Sequence, residues 1–410
     1  MHLIFRNPRF RLFWTAGLFG DVSLITYFTV HGWLALLVTD SPFWVGATAG
    51  VGGIGMTVFA PWGGVLIDRF RKIDVIRIAS LIRGVSATAL AVLAITDSVE
   101  LWHVLAFAVA TAATGATRMP GMKTLAMDIA GGEHLLAAMA ARMASMTVVG
   151  VVVPLLIGPA VDVIGIEWAY VVIALGDFTS VAVMSMVRLP EPAESPERRS
   201  PLAELKSGIS YSLRHPLVRT ILGVILVTEL FGWSAEPMLP VVVRDVLGGG
   251  ATGLGLLFAA ASAGAAVTAF TLSSVGNVRH KGWLMVGGIF GFGCFLLCFS
   301  LSRSLPLSLV LFGFAGASTT LYETAGDTIM QSGVDRRMRG RVLSFQAMLW
   351  GVSGMSGFHS GALASRFGAP LSIGIGAVVV MVAGLVLAKF ATSLDRPVEY
   401  RSTHAPAEGS

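Results

Sequence analysis

The sequence predicts an all-α integral membrane protein with twelve transmembrane helices arranged as two pseudo-symmetric six-helix bundles. Three observations lead there. Hydrophobic residues make up 54% of the 410-residue chain and charged residues only 13%, about half the roughly 25% that soluble domains use to cover their surfaces. Uncharged stretches such as 251–278, 282–302 and 342–365 each reach the roughly 20 residues that a helix needs to cross a bilayer. The two halves of the chain also echo one another.

Taken in order, the spans fall at 11–38, 45–67, 75–96, 100–127, 135–162 and 167–187, then at 217–243, 250–276, 282–302, 305–331, 341–365 and 368–390. Their length and their runs of Gly, Ala and Val exclude an outer-membrane barrel, whose strands alternate over about ten residues. The first bundle is expected over 1–187 and the second over 217–391. Between them, 188–216 is the one long polar stretch before the tail. Pro192, Pro196 and Pro201 break it, and Leu202, Leu205, Ile209 and Leu213 fall near one helical face, so it reads as a cytoplasmic linker ending in an interfacial amphipathic helix. Residues 392–410 read as a disordered cytoplasmic tail.

Basic residues set the orientation. With the amino terminus in the cytoplasm, all of the 29 Lys and Arg residues except Arg244, Arg303 and Arg366 lie toward the inner side. The positive-inside rule therefore places both termini in the cytoplasm. The same bias accounts for the net charge of +5, which reflects topology and not a nucleic-acid surface. The first span is too long for the apolar core of a signal peptide and is expected to be retained. Cys294 and Cys298, four apart in one apolar span, read as small packing residues and carry no redox information.

The duplication is visible in particular residues. Asn7-Pro8-Arg9-Phe10-Arg11 echoes His215-Pro216-Leu217-Val218-Arg219, and Asp21 and Glu229 occupy the same place in the two halves. Gly158 and Gly165 likewise echo Gly361 and Gly368. Two such halves imply parallel six-helix repeats.

The turn from Gly64 to Lys72 resembles the loop between the second and third helices of major facilitator superfamily transporters: Gly64, Asp68, Arg69 and Lys72 match, while Arg71 stands where a second glycine is usual. The stretches 6–14, 213–219, 239–248 and 339–344 are similar to the bacterial branch that contains enterobactin exporters and macrolide-efflux-type proteins. That resemblance implies the major facilitator fold, working as a monomer, and secondary active export of a small molecule across the bacterial inner membrane. A Gly-rich exporter pattern of helix five is partly present: Gly158 and Pro159 stand, Pro154 and Ser145 occupy earlier glycine places, and Asp162 and Val163 replace the closing glycine pair. Close helix packing and a proline kink account for Pro154, Gly158 and Pro159 equally well.

A primary pump needs an ATP site, and no Gly-x4-Gly-Lys-[Ser/Thr] occurs in the sequence, so transport is expected to draw on a gradient. Gly50-Val-Gly-Gly-Ile-Gly55 matches a dinucleotide pattern, but it lies inside the second span with no strand before it; helix contact explains it better. No catalytic Ser–His pair or metal-ligand spacing is seen, so no enzyme, cofactor, metal or nucleic-acid partner is expected.

Charges within the bilayer cost roughly 2.5–3.5 kcal/mol each on insertion scales and mark function by default. In the facilitator fold, helices one, four, seven and ten line the central cavity. Asp21 is the sole acid of span one, Glu229 stands at the same place in span seven, and Glu323 and Asp327 share a face of span ten. These are the candidates for coupling to protons, with an interhelical hydrogen bond as the alternative role. Arg118 on span four is read as a counter-charge for Glu323 or an anion-binding group, and Asp327 as a coupling acid or a solvated end residue. Asp177 reads mainly as an interhelical contact, Glu236 as a gate contact or a water-exposed acid, and His31 and His359 as cavity or interface groups. Tyr27, Trp33, Trp233 and Tyr322 are cavity walls or, for the tryptophans, belt residues.

The turn of Gly64, Asp68, Arg69, Arg71 and Lys72 reads as a conformational latch. Gly64 would let helices approach, and Asp68 would accept backbone hydrogens from the start of span eleven and bond to Arg69 or Arg71. Such a latch favours the outward-open state and must break for inward opening. The leading reading is proton-coupled export of an amphipathic drug or siderophore-like metabolite. A lipid-linked or nutrient carrier without proton antiport, and a non-transporting membrane sensor or assembly partner, are the alternatives.

Overall fold

A computed structural model describes residues 4–188, 216–275, 280–333 and 336–394, with isolated positions between 210 and 214 and, at 133, 216–217, 331–333, 336–348, 350 and 393, the backbone alone. The linker helix expected around Leu202–Leu213 and the tail 395–410 lie outside the described residues. No strand occurs among the described residues.

Six helices form the first half: α1 Pro8–Thr39, α2 Pro42–Arg69, α3 Lys72–Ile95, α4 at 101–130, α5 His134–Ile164 and α6 Ile166–Ser185. Six form the second: α7 Val218–Asp245, α8 Ala251–Val275, α9 Lys281–Leu301, α10 Leu305–Gly333, α11 Arg336–Phe367 and α12 Ala369–Ala388, followed by a single turn, α13 Ala391–Leu394. Ten of these are long and apolar enough to cross a membrane, and α4 and α11 bring the number to the twelve expected. Large apolar side chains such as Trp62, Leu156, Val163, Phe270 and Leu301 are exposed. Water does not stabilise such a surface, whereas lipid does.

The turns follow from local chemistry. Asn7 caps α1 by accepting a hydrogen bond from the Arg9 amide at 3.0 Å, and Pro8 opens the helix. One glycine separates α5 from α6 and another separates α11 from α12: Gly165 at φ 99° and Gly368 at φ 87°. Only glycine adopts such a backbone without strain, which explains why these positions echo one another across the duplication. Between α4 and α5 the chain turns at Gly131, whose φ is 66°.

Helix α7 departs from the uninterrupted span expected at 217–243. It runs as α-helix over Pro216–Val227, widens to a π-helical turn at Thr228–Gly232, and resumes as α-helix at Ala235–Asp245. The Trp233 amide reaches back five residues to the Thr228 carbonyl at 3.3 Å. Pro237, which has no amide hydrogen, leaves the Trp233 carbonyl to accept instead from Glu236 at 3.2 Å. Turns of this type recur at functional sites.

The halves meet along α2 against α11 and α5 against α8. We call the end where α1 begins the near end and the end where α1 finishes the far end. Glycine against glycine brings α2 and α11 into backbone contact toward the far end: Gly46 lies on Gly357, and Gly53 on Gly354. At the near end of α2, a side chain built on Gly64 would meet nothing within 4 Å.

Candidate functional site

The first half holds a buried charge cluster that spans five of its helices. Arg83 of α3 grips Asp177 of α6 through two hydrogen bonds of 2.7 and 2.6 Å, and donates a third to the Gly20 carbonyl at 3.2 Å. The Ser23 hydroxyl of α1 donates to the same carboxylate at 2.7 Å. Asp177 is thus an interhelical contact, and both members of the ion pair are at most 1% exposed.

Next to it, Asp21 of α1 accepts two hydrogen bonds from Arg142 of α5, at 2.7 and 3.1 Å. Arg118 of α4 stands 3.9 Å from the same carboxylate. It lies beside Asp21 and not against Glu323, because Gly20 leaves room for its guanidinium against α1 while Gly17 does the same for Arg142. The Nε and Nη2 atoms of Arg118 are buried without a hydrogen-bond partner. Three guanidinium groups therefore share two carboxylates here. Sequence reasoning counted Arg83 and Arg142 among the inner-side charges and missed their pairing; the legible signal was an arginine flanked by small and apolar residues within a span.

The second half has the opposite balance. Glu229 sits on the π-helical turn of α7, 3% exposed. It is hydrogen-bonded by Ser353 of α11 and lies within electrostatic reach of Glu323 and Glu236. Glu323 of α10 lies within electrostatic reach of Asp327 on the next turn. Its side chain is exposed although protein surrounds it, as expected of a residue that faces an internal space. Among the described residues, no Lys or Arg forms an ion pair with Glu229, Glu236 or Glu323. Tyr322, fully buried, accepts a hydrogen bond from the Trp233 indole at 3.2 Å. His31 meets Tyr170 at 3.2 Å and stacks on Tyr27, while His359 touches Phe231. Among the described residues no cluster of His, Cys, Asp and Glu is suited to a metal.

The far end is closed by contacts between the halves. Asp162, at the end of α5, accepts hydrogen bonds from the backbone amides of Ala251 and Thr252, both 2.8 Å. The carboxylate of one half thereby caps the first turn of α8 in the other. The helix-five motif residues Pro154 and Gly158 lie directly against Gly255 of α8. Arg244 of α7 bridges to Asp40 of α1 at 2.7 Å.

The charged turn lies at the near end. Asp68 is exposed and, among the described residues, forms no ion pair with Arg69 or Arg71. Lys72 pairs with Asp128 of α4, and Arg71 and Arg77 with Asp74. The α11 side chains expected to face Asp68 lie outside the described residues. Among the described residues, the polar contacts that join the two halves gather at the far end.

Comparisons with known proteins agree with this architecture. A family described as transmembrane secretion effector matches residues 3–404. The enterobactin exporter EntS of Escherichia coli O1:K1 / APEC is 27% identical over 392 residues, 93% of this chain and 89% of the relative. The EntS of Shigella boydii serotype 18 is 27% identical over 389 residues, with the same coverage. Among solved structures, a bacterial homologue of the human lysosomal transporter Spinster, inward-facing and occupied, superposes with a TM-score of 0.74 at 15% identity, covering 97% of this chain and 98% of that one. A POT peptide transporter in complex with sulfate gives 0.75 at 12% identity, covering 95% of each chain. Twelve helices in two matched halves, intramembrane charges within each half and a family match over nearly the whole length lead to one conclusion: the chain belongs to the transmembrane secretion effector family of major facilitator transporters, and is a multi-pass membrane transporter and not an enzyme.

Proposed function

We propose that the protein exports a small amphipathic molecule, a drug or siderophore-like metabolite, across the bacterial inner membrane in exchange for protons, by alternating access. In this reading both termini are cytoplasmic, the near end is the cytoplasmic end, and the molecule stands inward-open, ready to load cargo. The relation to enterobactin exporters supports the direction.

The observation that carries proton coupling is the setting of Glu229. A carboxyl on a π-helical turn, next to Glu323 and with no basic partner, changes its charge as water and cargo enter or leave the space beside it. Asp21 has the same place in the first half but is clamped by Arg142, so the two halves divide the work. Glu229 and Glu323 carry protons, with Asp327 beside them. Asp21, Arg118 and Arg142 hold the first half together.

The test is efflux from proteoliposomes with an imposed pH gradient. The gradient should accelerate cargo movement in the wild type and leave Glu229→Gln unaffected, while exchange without a gradient continues in both. Equal acceleration in the variant would remove Glu229 from the coupling step.

A further inference from the structure

A half-open pocket of about 210 Å³ lies among α7, α8, α9 and α10 of the second half. Ligand pockets are concave and mostly apolar, with a few placed polar groups. This one is bordered by small residues, such as Ala265 of α8, where larger aliphatic side chains would fill it. Its remaining wall is largely aromatic: Trp233, Phe258, Phe292 and Phe312. Cavities of about 150 Å³ lined by apolar side chains hold one benzene ring, so this volume fits a single ring with a compact substituent.

Glu236 is the one ionisable side chain in the lining. Among the described residues no Lys or Arg forms an ion pair with it, and its one charged neighbour is another acid, Glu229. A lone carboxylate set among aromatic faces recognises a cation: charge attracts charge, and the ring quadrupoles add to the attraction. The indole of Trp233 is held in place by its bond to Tyr322. Gly232, the last residue of the π-helical turn that carries Glu229, also lines the cavity, so its occupant lies against the same turn as the coupling acid.

We propose that this cavity is a binding site for an aromatic group bearing a positively charged nitrogen, presented by the cargo. The inference rests on the reading of the chain as an exporter and names a class of cargo for it. Its test needs no gradient, so its failure and that of the coupling reading are told apart.

The full chain in lipid nanodiscs is titrated calorimetrically with benzyltrimethylammonium and, separately, with phenylacetate, an anion of similar size. The cation should bind and the anion should bind at least about tenfold more weakly. Glu236→Gln should weaken the cation by about tenfold or more, Glu236→Asp should retain most of the binding, and Ala265→Trp, which fills the void, should abolish it. Should Glu236→Gln fail to elute as a single species, the ionic preference of the wild type and its loss in Ala265→Trp decide the matter. Equal binding of both ions, or cation binding that survives Ala265→Trp, would overturn the proposal.

Discussion

Asp162 of the first half accepts a hydrogen bond from the Ala251 amide of the second at 2.8 Å, and a matching bond from Thr252 makes the carboxylate the cap of α8. An ordinary helix cap is worth about 1 kcal/mol, and a negative charge at a helix start adds to it. Here the cap and the helix belong to different halves, so its free energy bears on the state of the gate and not only on one helix. In the proposed alternating-access cycle the cap belongs to the inward-open state and breaks when the far end opens.

Asp162→Ala should therefore shift the population toward far-end opening by roughly fivefold, the equivalent of about 1 kcal/mol. Spin labels placed at Ile164 and Leu247 would read it as growth of a longer-distance component in pulsed dipolar spectra. Asp162→Asn retains an acceptor oxygen and should shift less. An unchanged distance distribution in Asp162→Ala would show that the cap does not hold the gate.

The seam between α2 and α11 makes a second, steric prediction. A methyl group on Gly46 would run into the Gly357 carbonyl and lie 2.9 Å from the Gly361 Cα, closer than packed carbons tolerate. Gly46→Ala should push the far ends apart and raise the labelling rate of a cysteine placed at Ser41 by a membrane-impermeant maleimide. Gly64→Ala, with nothing within 4 Å, should leave that rate unchanged. If both behave alike, the seam is not a gate surface.

Arg83 and Asp177 yield a prediction about stability. Breaking a buried ion pair by removing one partner costs about 3–5 kcal/mol, because the other charge is left buried and alone, whereas replacing both by apolar groups is often neutral. Asp177→Asn or Arg83→Gln should melt well below the wild type in detergent, and Arg83→Met with Asp177→Leu should recover much of the loss. The recovered double variant should keep its response to a proton gradient, since the pair lies among α1, α3 and α6 and not beside Glu229. A double variant no more stable than either single one would contradict the assignment.

The fold was legible because span length and charge bias are local properties of the sequence. What escaped was register between distant helices. Arg142 looked like one more inner-side charge, yet it reaches Asp21 across 121 positions in the chain, through a gap that Gly17 opens. Asp162 looked like the loss of a glycine motif and is instead an added tie between halves. The π-helical turn of α7 was hinted at by Gly232, Pro237 and Pro240, but hydropathy averages over such interruptions. Gly165 and Gly368 were legible as echoes, and their positive φ supplies the reason.

The division between Asp21 and Glu229, matched by sequence and unlike in setting, leads to the last prediction. If Asp21 carried protons, Asp21→Asn would fold normally and lose its response to a pH gradient. Its two hydrogen bonds from Arg142 and the nearby Arg118 predict a different result. Removing the carboxylate leaves two buried guanidinium groups uncompensated, so Asp21→Asn should lower the folded yield, with a loss of about 3–5 kcal/mol. Adding Arg142→Gln removes one of those charges and should restore yield, and the double variant should still transport faster under the gradient. Monodisperse Asp21→Asn protein with cargo movement indifferent to the gradient would move the coupling role back to the first half.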